Sequence, residues 1–375
     1  MSGHSTTWVT VSRRAITHNI GQIQKILSPT AQLMVVVKSN AYGHGLIGCA
    51  RIAQSAGITW FGTVSLEEAL TLRRNGIKGR ILVLSFFDPD KLTDAIKNNI
   101  TLTVYNLSAA LTINRLAKKL NKTVPIHLKI DTGTTRLGVM PSESAHVAKA
   151  IQRLQNIRLE GLFSHLANAE NPNQRSANNQ IRIFNHVVDE LARQEIRVPY
   201  PHIACSAASI LNRSSHYTMA RIGIALYGLW SIEHNGVHAS ALKLWPALSW
   251  YTRVLQVKTV TAGTSIGYGS TYTARKTTKI AIIPVGYWDG YDRKFSNNGE
   301  VLVRGRRCQI RGRVCMNLTM IDVTNVPAAK PGDKVTLIGT DGRQTISVDS
   351  LAKRIGTINY EIVTRINPLL PRLYY

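Results

Sequence analysis

A chain of 375 residues with 44% hydrophobic and 18% charged residues is long enough for two folded domains and too apolar for a disordered polymer. No apolar stretch approaches a membrane span, and the opening MSGHSTTWVTVSRRAITHNI lacks the apolar core of a secretion signal, so a cytoplasmic protein without a membrane partner is expected. The formal charge of +25 would suit nucleic acid, but its excess is spread along the chain and no reader motif accompanies it, which argues against that partner.

TWVTVS at 7–12 reads as an isolated strand, free to join either of two domains. From residue 33 strand-like runs alternate with helical ones. The strands are LMVVVK (33–38), TWFGTVS (59–65), GRILVLS (79–85), TLTVYN (101–106), VPIHLKID (124–131), IRLEGLFSH (157–165), YPHIACS (200–206) and MARIGIALYG (219–228). Amphipathic stretches such as LEEALTLRRNG, LSAALTINRLAKKLN, SESAHVAKAIQRLQ and QIRIFNHVVDELARQEI separate most of them, and Ser65 with Glu68 makes a capping box before one. Eight strands interleaved with helices is the count of an α/β fold of the (β/α)8 TIM-like barrel type, expected over 13–239. A doubly wound open sheet would want a GxGxxG turn after the first strand, and none is present.

Beyond residue 240 helical periodicity largely disappears. LSWYTRVLQVKTV, KIAIIPVGYW, GEVLVRG, RCQIRGRVCM and DKVTLIGT read as strands between Gly, Asn-Asn-Gly, Pro-Gly and Asp-Gly turns, so a mainly β C-terminal domain is expected over 240–375. The densest basic cluster, RGRRCQIRGR at 304–313, would divide its arginines between two faces of a strand. The four cysteines, Cys49, Cys205, Cys308 and Cys315, lack CxxC spacing, and neither a disulfide framework nor a metal site is expected.

Active sites of such barrels sit at the C-terminal ends of the strands. Those ends carry Lys38, then Lys129 running into Asp131 and Arg136, His165, His202 with Ser206, and Arg221 before Gly223. Together they outline a mostly cationic cup with one carboxylate, suited to a ligand bearing phosphate and carboxylate. A lysine among cations loses proton affinity, so Lys38 would hold the neutral, nucleophilic amine that a Schiff base needs. Phosphate would suit the backbone around Gly223 and the Ser206 hydroxyl. Lys129, by contrast, could simply pair with Asp131.

VVVKSNAYGHG (35–45) closely resembles the pyridoxal-phosphate lysine motif of the bacterial alanine racemases, and IGYGSTYTA (266–274), PVGYWDGY (284–291), RIGIALYG, GRVCMN (312–317) and INYEIVTRI (358–366) match that family in order. The resemblance spans nearly the whole chain. It implies a barrel plus a β domain, pyridoxal 5'-phosphate as cofactor, and a homodimer whose active sites are shared. It also implies racemisation of alanine, supplying D-alanine for peptidoglycan. Position by position, Lys38 would carry the cofactor and act as one base, with Tyr268 the opposing base from the second subunit. Tyr42, Ser206, Gly223, Ile224 and Tyr360 would hold the phosphate. Arg221 would face the pyridine nitrogen with His202 behind it, and His165 would lie beside Tyr268 and the ring. Arg136 and the Met316 amide would take the substrate carboxylate, Lys129 would be the lysine that is often carbamylated, and Tyr287 would line the entrance.

Several positions depart from the family pattern: Ser39, Cys205, Thr134-Thr135, Asn317 where aspartate is usual, and Trp288. They bear on substrate breadth and rate, which leaves a serine or broad-specificity racemase as the alternative. A decarboxylase of the same architecture would pair the pyridine nitrogen with glutamate, where this chain offers Arg221. A non-catalytic barrel protein would lack the β domain that carries Tyr268.

Overall fold

Short β-branched runs that are apolar on both faces must be covered on both, and a ring of helices around parallel strands does this. In the computed structural model, which describes residues 6–232 and 242–375, eight such runs form one parallel sheet. They are Gln32–Val36, Trp60–Thr63, Arg80–Val83, Thr101–Val104, Val124–Lys129, Ile157–Phe163, Tyr200–His202 and Met219–Ile222. Each pairs with the next, and the eighth returns to lie beside the first. Between the seventh and eighth, Thr218 N donates to Pro201 O at 3.4 Å and Arg221 N to Ala204 O at 3.1 Å, so the barrel is nearly closed. The expected fold class, this barrel followed by a mainly β region, is the one observed. The expected boundary at 239/240 lies outside the described residues.

Met34, Trp60, Leu82 and Met219, contributed by the adjacent first, second, third and eighth strands, pack together with Leu84 and Tyr200 against them. Each large side chain so buried stabilises the fold by about 1.5–3 kcal/mol. The helices obey their end signals. Ser65 Oγ accepts from Glu68 N at 3.2 Å to cap Leu66–Arg74, which carries Glu67 and Glu68 in its first turn and Arg73 and Arg74 in its last, as the helix dipole favours. The last barrel strand is shorter than its apolar run. It ends at Ile222, and Ile224–Tyr227 tightens into a 3-10 turn closed by Gly228 in the left-handed region. No helix among the described residues is long and apolar enough to cross a membrane.

The chain divides into two compact units, one holding Ala15–Ala41 and Leu46–Trp245, the other Met1–Arg14, Tyr42–Gly45 and Pro246–Tyr375 in their described parts. In the second, the N-terminal strand Thr7–Val11 lies between Leu248–Arg253, antiparallel, and Arg372–Tyr374, parallel. The expected single strand LSWYTRVLQVKTV breaks at Val254-Leu255. Leu248–Arg253 stays in the large sheet beside Lys334–Asp341, whereas Gln256–Val260 pairs with Thr278–Ile283 in a separate three-stranded sheet. RCQIRGRVCM is strand only where it overlaps Arg306–Gln309, and within the basic cluster at 304–313 Arg304, Arg307 and Arg311 are ion-paired with Asp333, Glu300 and Asp322. Two helices, Val348–Ile355 and Asn359–Thr364, were not expected from the pattern beyond residue 240. The first is legible in hindsight, since Val348, Leu351, Ala352 and Ile355 are its buried residues at helical spacing.

Candidate active site

The first barrel strand releases the chain at Val36, and Lys38 follows two residues later. What comes next is unusual backbone: Ser39, Asn40, Ala41 and Tyr42 all have φ between 53° and 55°. Left-handed conformation costs a non-glycine residue roughly 1–2 kcal/mol, so four in succession need support. Ala41 N donates to Val37 O at 2.8 Å, and Leu46 N donates to Asn40 Oδ1 at 2.9 Å. Glu68 supplies the rest. Its Oε1 accepts from Ser39 N at 2.5 Å and Asn40 N at 3.4 Å, and its Oε2 accepts from Val64 N at 3.1 Å. Only the Ser65 half of the expected capping box is therefore formed as read; the Glu68 carboxylate crosses to the neighbouring strand end.

The strand ends form one field of positive charge. Burial, and then Arg136, lower the Lys38 amine below its usual range, with Arg221 adding to the effect and Glu68 opposing it. Lys129, only 5% exposed, is lowered to about 8 by burial, Arg136 and Arg221, while Asp131 pulls the other way. Asp131 does not spend its carboxylate on a lysine. It accepts from the backbone amides of Gly133, Thr134, Thr135 and Arg136 at 2.7–3.2 Å, folding the loop that carries Arg136.

Arg221 is the best-held side chain of the group. One terminal nitrogen donates to His202 Nδ1 at 2.8 Å and to His202 O at 3.2 Å. The other donates to Ser164 O at 2.8 Å, Ile203 O at 3.2 Å and His165 Nδ1 at 3.2 Å. Burial lowers this guanidinium only to about 10, so it stays cationic at neutral pH. Because an arginine can only donate, His202 Nδ1 must be the acceptor, and its proton sits on Nε2. That Nε2 lies 2.9 Å from His127 Nδ1, which fixes the second tautomer as well. Burial and Arg221 hold His202 well below its usual range, and His127 and His165 down at about 3. The arginine thus rests on two neutral imidazoles in series, with the Phe163 ring stacked on His202 at 4.9 Å. Gly161 makes this arrangement possible, because a Cβ there would meet His127 Nδ1 at 2.2 Å.

His127, absent from the expected set, could have been found: it stands two residues before Lys129 and shares its face of the strand. Gln180 had no such signal. From the helix Arg175–Arg193 it donates to Thr132 Oγ1 at 3.1 Å and His165 O at 3.2 Å and accepts from Ala167 N at 2.8 Å, tying two strand-end loops together.

A neutral buried histidine makes stability depend on pH. The folded-state value of about 3 for His127 lies below the ordinary 6.5, so this contribution is complete above pH 6.5 and is lost as pH falls toward 3. At pH 5 the loss should be about 2 kcal/mol. Denaturant unfolding at pH 7.5 and 5 should show it, and His127→Gln should lose correspondingly less between the two; equal losses would clear His127 of the effect.

Ser206 and Gly223 form a second group, at the ends of the seventh and eighth strands. Gly223 N donates to Ser206 Oγ at 3.1 Å, which leaves the hydroxyl proton to serve an acceptor, and Ile224 opens the following 3-10 turn. The remaining expected residues belong to the β unit. Tyr42 and Tyr360 place their rings 6.1 Å apart. Tyr268 stands 73% exposed in the turn joining Ser265–Ile266 to Tyr272–Thr273. Tyr287, Trp288 and Met316 are exposed too, on two segments locked by Tyr287 N to Cys315 O and Trp288 N to Met316 O, both 3.0 Å.

A depressed lysine amine set among cations at the strand ends of a parallel barrel is the arrangement expected of an enzyme active site. Residues 11–231 match the alanine racemase N-terminal domain and residues 247–374 the alanine racemase C-terminal domain. The chain is 40% identical to an alanine racemase of Methanococcus maripaludis over 98% of both chains. Its fold superposes on alanine racemase from Clostridium difficile 630 with a TM-score of 0.94 at 32% identity, covering 100% of this chain and 97% of that one. On alanine racemase from Bacillus anthracis with bound L-Ala-P, the TM-score is 0.92 at 35% identity, covering 100% and 96%. The chain belongs to the alanine racemase family, and it is a racemase.

Proposed function

We propose that the protein interconverts L- and D-alanine with pyridoxal 5'-phosphate at the barrel strand ends, and so supplies D-alanine for peptidoglycan. The observation that carries this reading is Lys38, a lysine amine lowered by burial and by Arg136 at the end of the first strand. The residue types expected at the site suit the cofactor's groups. Lys38 would attach it; Ser206, Gly223 and Ile224 with Tyr42 and Tyr360 would hold its phosphate; His165 would lie beside its ring, and Arg221, braced by His202, at its ring nitrogen. When bound, the cofactor withdraws electrons from the substrate α-carbon and acidifies its hydrogen.

Racemisation then requires a proton to leave one face and another to arrive at the opposite face. Lys38 serves one face and Tyr268 the other. The exposure of Tyr268 suits a residue whose site is completed by a second subunit, and exposed Tyr287, Trp288 and Met316 give the same unit an apolar surface for that subunit to cover. Arg136 and the Met316 amide hold the substrate carboxylate, and Tyr287 lines the entrance. Arg221 stays protonated and gives no proton to the ring nitrogen, which restrains transamination and decarboxylation.

Lys129 fits the carbamylated role. An amine lowered to about 8 has a sizeable neutral fraction to react with carbon dioxide, and the product replaces one cation among several with an anion. With ¹³C-bicarbonate, a carbamate resonance should appear in wild type, strengthen from pH 6.5 to 8.5, and vanish in Lys129→Ala. Its absence from wild type would remove the assignment.

The direct test incubates protein and pyridoxal phosphate with separate L-amino acids, serine included because Trp288 and Asn317 bear on breadth. Chiral chromatography should find D-alanine as the main product. Borohydride reduction and peptide mapping should place the cofactor on the Lys38 peptide. No D-alanine, or label on another lysine, would sink the reading.

A further inference from the structure

We propose that Glu68 is a positioning residue for Lys38, clamping the left-handed turn that follows it. The residue lies 29 positions downstream of the turn, on the next helix, yet its Oε1 accepts from both Ser39 N and Asn40 N. Those amides begin the run Ser39–Tyr42 with φ near 54°, a conformation that serine, alanine and tyrosine do not choose unaided. Lys38 is the last residue before that run, so the direction in which its Cα–Cβ bond leaves the strand depends on the turn being held. Three amide donors with no acceptor among them also call for a carboxylate. Oε2 takes Val64 N while Oε1 takes the two turn amides. A glutamine has one acceptor oxygen and must leave one side facing its own NH2 group.

The side chain cannot be dismissed as a helix cap. The cap of Leu66–Arg74 is the Ser65 hydroxyl, which accepts from Glu68 N. The charge of Glu68 acts on the same amine. It favours the ammonium form of Lys38 against burial, Arg136 and Arg221, and so opposes the cationic field from the strand-end side.

This inference rests on Lys38 being the reacting amine, and its test separates the two. In the holoenzyme, Glu68→Ala should lower kcat by about 10²-fold, the scale expected when a reacting group is misplaced by an ångström. The KM for alanine should stay within about twofold, since no substrate contact is removed. Backbone amide exchange at Ser39 and Asn40 should quicken by roughly tenfold or more as their acceptor is lost. Glu68→Gln should fall between Glu68→Ala and wild type in both measurements. Ser65→Ala is the control: it removes the cap and lowers Tm but leaves kcat and the exchange at Ser39 and Asn40 unchanged. Wild-type exchange at those amides in Glu68→Ala would overturn the clamp. So would a kcat loss no larger than that of Ser65→Ala. Should the wild-type protein fail to racemise alanine, the functional reading falls, and the exchange measurement still decides whether Glu68 holds the turn.

Discussion

Unfolding Lys38→Ala and Tyr268→Phe chains together and refolding them should restore about a quarter of wild-type activity, by the statistics of a two-fold dimer. Each homodimer alone should lose roughly 10²–10⁴-fold, the usual cost of removing a general acid or base. If the two bases of one site come from different chains, a hybrid dimer carries one site with both substitutions and one with neither. Half the dimers are hybrids and half their sites are intact, which gives the quarter. Differently tagged chains would confirm that hybrids form. Recovery is expected because Tyr268 stands 73% exposed at a hairpin tip, where it has the reach to serve another chain. Confirmed hybrids without recovered activity would mean that both bases belong to one subunit.

Arg221→Lys should cripple the enzyme although it keeps the charge. The guanidinium reaches five acceptors, on Ser164, His165, His202 and Ile203, from two nitrogens with fixed spacing. A lysine has three donors on one atom, so at least two of these five contacts are lost, at about 1–3 kcal/mol for each buried acceptor left without a partner. The tautomers of His202 and His165 are no longer dictated once the arginine is gone. Racemisation should fall by roughly 10²–10³-fold, the scale of losing one preorganised electrostatic group. Lysine, unlike arginine, can hand a proton to the ring nitrogen, so transamination per turnover should rise, measured as keto acid formed from alanine. Unchanged stability together with an unchanged ratio of keto acid to D-alanine would remove Arg221 from both roles.

Local pattern determined much of this protein. Runs of valine and isoleucine ending in lysine, histidine or arginine, with amphipathic helices between them, announced eight parallel strands and the residues at their ends. Buried parallel strands leave a strong local signature because both faces must be apolar. Where the chain left regular structure, local pattern misled. LSWYTRVLQVKTV carries strand propensity throughout, and only its partners reveal that it changes sheets at Val254-Leu255. Helix Val348–Ile355 was masked by the strands around it, although its spacing was there to be read.

The finer parts of the site were decided by the tertiary structure alone. Nothing in SNAY favours four consecutive positive φ values, and only Asn40 tolerates one readily. Its first two amides find their acceptor on Glu68, which is brought to the turn from the neighbouring βα unit. His127 and His202, 75 positions apart, meet inside the barrel where Gly161, on the strand between theirs, leaves the space free, and their tautomers follow from a single arginine that can only donate. Sequence periodicity encodes which face a side chain occupies, through the pleat and the helical turn. It does not encode which side chain stands across the barrel, because that distance is set by closure of the whole sheet.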